Sequence, residues 1–170
     1  MKKIIVFLTL ALTFAACEDD VKFNDPAFQA LSNYDFWRAD ASVAEVKDGT
    51  LRVYGTNGAE SLLLRIPNYG FGKRYDLGVD DKNVAVFRRV IEKDTIRFKT
   101  GINLGGGYVV FDEASKQVPG TVSGRFVVDA PNTNIANDTM KSVYLHEGVF
   151  FRIKMSEITN GMQSEIPVLE

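Results

Sequence analysis

From Pro26 onward, short runs of alternating apolar and polar residues are interrupted by turn-forming residues roughly every 8–12 positions. A period of two sends successive side chains to opposite faces of an extended strand, so each run can bury only one face. Thr95-Ile96-Arg97-Phe98-Lys99 puts Ile96 and Phe98 on one side and three polar side chains on the other. Val122, Phe126 and Val128 alternate in the same way with Thr121, Ser123, Arg125 and Asp129, and Leu62, Leu64 and Ile66 share a parity. The turns agree with this reading. Asp48-Gly49 and Asn57-Gly58 are strong hairpin signals because both residue types tolerate positive φ. Pro67-Asn68-Tyr69-Gly70 and Pro119-Gly120 mark further corners. Strands are expected near 27–32, 35–46, 50–56, 60–66, 83–91, 94–100, 106–112, 121–130 and 141–155. The expected fold is all-β, an antiparallel β-sandwich or partly open barrel of about eight to nine strands. It forms a single domain over residues 27–170, and residues 131–139 form an exposed polar connection.

The N-terminus follows a different rule. Lys2 and Lys3 precede an apolar run from Ile4 to Ala16, which ends at Cys17. A basic start, a short apolar stretch and small residues before a cleavage point describe a secretory signal over residues 1–16. The run is shorter than the roughly 20 apolar residues a spanning helix needs. Cys17 is the chain's one cysteine, which excludes an internal disulfide and a cysteine-based zinc site. Phe14-Ala15-Ala16-Cys17 resembles a bacterial lipobox, in which the cysteine is acylated and becomes the mature N-terminus. Plain secretion would leave an exported reactive thiol, so lipid attachment at Cys17 is the expected reading. Glu18, Asp19 and Asp20 follow at once and resemble the acidic export signal that sends Bacteroidetes lipoproteins to the outer face of the outer membrane. Residues 17–26 are then an acylated acidic tether. Loss of Lys2 and Lys3 would make the formal charge of −2 more acidic by two. No basic stripe favours nucleic acid, and no cofactor is implied.

Several segments together resemble a known family. Asn24-Asp25-Pro26-Ala27-Phe28-Gln29-Ala30 and Phe36-Trp37-Arg38-Ala39 resemble the opening of a family of Bacteroidetes lipoproteins, the domain of unknown function numbered 6252. Gly49-Thr50-Leu51 with Tyr54-Gly55-Thr56-Asn57-Gly58 resembles its next hairpin. Val122-Ser123-Gly124-Arg125-Phe126 resembles one of its strands, and Glu147-Gly148-Val149-Phe150 its closing element. Its first turn carries Asn-Gly, where this chain has Ser32-Asn33-Tyr34-Asp35. The likeness spans nearly the whole mature chain. It implies a location and a β fold, and it transfers no catalytic residue.

Candidate chemistry is sparse. His146, the single histidine, has no nucleophile at a recognisable spacing. Asp76, Asp80, Asp81 and Asn83 crowd one loop without the spacing of a calcium loop, so a solvated turn is expected and no metal. Gly105-Gly106-Gly107 lacks the lysine and helix of a phosphate cradle and reads as a closely packed start of a strand. Glu147 shares the parity of Val143, Leu145, Val149, Phe151, Ile153 and Met155, which places a carboxylate on the core side. An unbroken strand with Glu147 near the rim, paired to an arginine or hydroxyl, is expected; a bulge at Gly148 would turn Arg152 and Lys154 inward. Asp94-Thr95-Ile96 and Asp138-Thr139-Met140 resemble the Bacteroidetes O-glycosylation triplet, with Thr139 the better exposed and Thr95 the less accessible. Tyr69, Phe71 and Phe150 are expected to point outward as interaction aromatics.

The expected function is a surface-anchored outer-membrane lipoprotein, non-enzymatic, that contacts another envelope protein. A cell-surface glycan- or small-ligand-binding module built on the outward aromatics is the alternative.

Overall fold

Alternation over the chain becomes eleven strands, with one 3₁₀ turn (Ala114–Lys116) and no α-helix among the described residues. The computed structural model describes residues 25–33, 35–92, 94–134, 140–157 and 166–167. The strands are β1 (Ala27–Ser32), β2 (Asp35–Arg38), β3 (Ala41–Lys47), β4 (Thr50–Thr56), β5 (Glu60–Pro67), β6 (Arg74–Leu77), β7 (Val84–Ile91), β8 (Asp94–Lys99), β9 (Gly106–Phe111), β10 (Thr121–Pro131) and β11 (Ser142–Glu157). They form one sheet in the order β6-β9-β10-β11-β3-β4-β5-β7-β8, with β1 beside β11 and β2 beside β1. The sheet curls into a half-barrel. Its inner face holds one core that includes Phe28, Trp37, Leu64, Phe87, Phe98, Phe111, Phe126 and Phe150.

β11 forms one corner of this curl. Its first part lies between β1 and β10, and Met155–Glu157 then pair with Ala44–Val46 of β3. That last pairing is parallel, so the expected all-antiparallel sheet is in fact mixed. A strand of sixteen residues is long enough to serve both halves, and its end runs alongside β3 in the same direction. On the opposite side, the end of β10 covers the edge of β8. Asn132 bridges to Phe98, the Thr133 amide donates to the Arg97 carbonyl at 2.8 Å, and the Asn134 side-chain amide donates to the Thr95 carbonyl at 3.2 Å.

Two further differences from the sequence reading have local causes. The run expected as one strand over 35–46 divides at Ala39 and Asp40, where the chain changes partners. The Ala39 amide donates to Phe28 of β1, and the Asp40 amide donates to Thr56 of β4. β6 is an added short edge strand paired to β9 alone. The hairpin at Asp48-Gly49 has both residues at positive φ, as a two-residue turn demands. At Asn57-Gly58 only the glycine does so, and the Asn57 carboxamide oxygen instead accepts the Glu60 amide at 2.7 Å.

β11 does not keep one register. Phe126 lies opposite Gly148 and Val128 opposite Leu145; Gly124 lies opposite Phe150 and Val122 opposite Ile153. Each interval holds one extra residue on β11, which is a single-residue bulge. The extra residues centre on Glu147 and Arg152, both at positive φ. The core side therefore passes from Val143 and Leu145 to Gly148 and Phe150, and then to Ile153. The first bulge frees Glu147, whose side chain is 76% exposed with a carboxylate oxygen 3.8 Å from His146 Nδ1. The expected unbroken strand with a rim-paired Glu147 is thus replaced. The second bulge keeps Arg152 and Lys154 outside. At that bulge the Arg152 amide donates to the buried Ser123 hydroxyl at 2.9 Å, and its guanidinium pairs with Asp25.

Between the bulges, β10 and β11 interlock. Each strand carries Gly-x-Phe on its inner face, and the antiparallel register sets each glycine opposite the other strand's ring. A Cβ on Gly148 would fall 2.6 Å from the Phe126 ring, and one on Gly124 would collide with Phe150. The two rings stack with centroids 6.5 Å apart, and Phe28 of β1 meets both edge-on. A glycine opposite an aromatic loses strand propensity but lets the ring lie flat over the backbone.

Candidate interaction surface

The structure redistributes the three aromatics expected to face outward. Phe150 is fully buried, because the bulge at Glu147 reverses its side of the strand. Tyr69 is half-buried against the core, with its ring edge-on to Phe71 and tilted over Phe111. Phe71 alone stays substantially exposed. A glycan platform built from these three rings therefore does not exist. Thr95 opens β8 as expected but is exposed rather than shielded. Thr139, Cys17, Glu18, Asp19 and Asp20 lie outside the described residues.

The remaining motifs resolve into local structure. Asp80 accepts backbone amides from Lys82 and Asn83, Asn83 donates to the Asp76 carbonyl, and Asp76 pairs with Arg74. That network is an ordinary polar turn. Among the described residues no three His, Cys, Asp or Glu side chains are grouped to hold a metal. Gly107 packs so closely on the Val127 carbonyl that a Cβ could not fit, in keeping with a tightly packed start of β9.

Outward aromatics do occur, at positions other than those the sequence pattern selects. In β2, Trp37 faces the core, so Phe36 must face out, and it is 62% exposed. Its neighbour across the sheet is Leu31 of β1, which in turn sits opposite His146 of β11. Tyr144, two residues earlier on the same face, stacks on His146 with centroids 5.1 Å apart. Phe36, Leu31, His146 and Tyr144 thus form a row over three strands on the outer face. The β1–β2 turn fixes one end of the row: Tyr144 donates its amide to the Asn33 side chain and accepts the Asn33 amide. The alternation around Trp37 was the available signal for Phe36. Alternation likewise sets Tyr144 beside His146 on the outer side of the last strand, whereas only the register could have added Leu31.

The match to known families rests on the same strands. A family model described as "Domain of unknown function (DUF6252)" matches residues 24–154, well over half of the chain. The chain belongs to the DUF6252 family. No curated protein and no solved structure matches it. The DUF6252 match takes in β1 to β10 and β11 as far as Lys154, and so contains both the interlock and the aromatic row. It ends just before the parallel contact with β3 and before Ile166. Ile166 lies on the outer face of the opposite half, buried with Leu63, Val84 and Val86. Its amide donates to the buried Glu45 carboxylate, which also takes a 2.8 Å bond from Arg52.

Proposed function

We propose that the protein is a lipid-anchored, non-enzymatic accessory subunit of the outer membrane surface that contacts another envelope protein through the outer face of β2, β1 and β11. The lipobox at Cys17 supports the anchor, and Glu18-Asp19-Asp20 support surface exposure. The observation that carries the interaction is the Phe36–Leu31–His146–Tyr144 row with its 62%-exposed phenyl ring. Large exposed aromatics in a contiguous patch favour burial against a partner, where aromatic anchors dominate binding energy. The row lies on β1 and its neighbours, and β1 begins at Ala27. Ten tether residues reach at most about 35 Å, which holds this face close to the bilayer surface.

Two variants test the reading. Cys17→Ser should move the protein from the membrane to the soluble fraction and abolish incorporation of an alkynyl fatty acid; an unchanged membrane fraction refutes the anchor. Phe36→Ser should leave folding intact, since exposed substitutions shift stability by about 0.5 kcal/mol or less. It should also eliminate a stoichiometric envelope protein that co-purifies with the wild type from gently solubilised membranes. Recovery of that partner in equal amount would refute the assigned face.

A further inference from the structure

A second feature lies on the other half of the barrel, and the sequence reading passed over it. β7 and β8 are joined through Glu92 and Lys93, so Ile91 faces Asp94 and the register sets Arg88 directly opposite Arg97. Both point away from the core, since Phe87, Ile96 and Phe98 take the inner face. Like charges facing across a sheet repel, and such pairs are normally relieved by a carboxylate between or beside them. Among the described residues neither arginine makes an ion pair, and the Arg97 Nε is buried without a hydrogen-bond partner. An unsatisfied buried donor on a charged group is costly, more so beside a second guanidinium. Burial, and then the Arg97 charge, push the Arg88 guanidinium below its ordinary value, with a smaller opposing pull from Tyr54.

Beside the pair lies a shallow polar depression. Arg88, Arg97, Thr95, Thr133 and Asn134 line an open cleft of about 410 Å³. That is within the size range of small-ligand sites. Thr133 and Asn134 form its far wall because their hydrogen bonds to Arg97 and Thr95 dock the end of β10 on the β8 edge. Among the described residues the lining is two cations, two hydroxyls and a carboxamide, with no acidic side chain. Each guanidinium carries a planar fork of N–H donors that matches the oxygens of a carboxylate or phosphate group.

We propose that this cleft binds a small ligand through an oxyanion group, a carboxylate or a phosphate, held by Arg88 and Arg97 together. The ligand supplies the negative charge that the described part of the sheet omits, and the exposed Thr95 offers its hydroxyl to one of the remaining oxygens. The test is a titration of the full chain in detergent micelles, followed by backbone amide resonances, with inorganic phosphate in one arm and glucuronate in the other. Saturable shifts confined to residues around Thr95, Arg97 and Thr133 are expected at millimolar concentrations in at least one arm. The responding arm identifies the anion class. Arg88→Gln and Arg97→Gln should each weaken that binding by about tenfold or more, as loss of a charge-assisted contact implies. Arg125→Gln, on the outer face of β10, should leave it unchanged. If neither anion shifts these resonances, or if the arginine variants bind as tightly as the wild type, the proposal is overturned.

Discussion

Two cross-strand pairings in this molecule follow opposite logic. On the inner face of β10 and β11, Gly124 meets Phe150 and Phe126 meets Gly148, so each small residue makes room for a large one. On the outer face of β7 and β8, Arg88 meets Arg97, two like charges set directly opposite. The first pairing satisfies packing, register and burial at once, as a structural element should. The second satisfies none of the usual rules for a sheet surface. Sites where a sequence works against its own stability are where function is expected to lie.

The largest effect should come from breaking the interlock. Phe150→Ala should cost about 3–5 kcal/mol by denaturant unfolding, the usual range for a buried aromatic. Gly148→Val should be comparably severe because its side chain must enter the space of the Phe126 ring. Tolerance of either change would show that the rings do not hold the corner. A smaller loss is expected at the second apolar cluster. Glu45→Gln removes the charge that holds Arg52 and the Ile166 amide, and should cost about 1.5–3 kcal/mol. Ile166→Ala should cost about 1.5 kcal/mol, and no effect would mean that this residue does not cover Leu63, Val84 and Val86. The smallest change has the opposite sign. Arg97→Gln should stabilise the ligand-free protein by about 0.5 kcal/mol through relief of cross-strand repulsion.

Much of the barrel was legible in the sequence, for a physical reason. Residues such as Leu62, Leu64 and Ile66, or Ile96 and Phe98, report their side of the sheet directly while the strand stays regular. That rule fails at β11, because a bulge changes parity without changing composition. Glu147 and Arg152 take positive φ, and only the glycine after Glu147 hinted at irregularity. Phe150 therefore appeared outward and is buried, while Phe36, fixed by a regular strand around Trp37, was readable from alternation alone. β6 escaped notice because its four residues lie between Gly72 and Gly78 and pair only with β9. The parallel contact of β11 with β3 depends on where the strand ends in space, which no local pattern encodes. The arginine pair was within reach, since two residues between Ile91 and Asp94 already place position 88 opposite 97. The walls of its cleft were not, because Thr133 and Asn134 reach β8 only through the fold.

Thermal unfolding of wild-type protein and Arg97→Gln, each with and without the anion that responds in the titration, puts the contrast between these pairings to its most direct test. Arg97→Gln is expected to melt above the wild type in anion-free buffer, and the anion to raise the melting temperature of the wild type clearly more than that of the variant. A variant that melts lower without the anion, together with equal anion stabilisation of both proteins, would contradict that expectation and make the arginines ordinary structural residues.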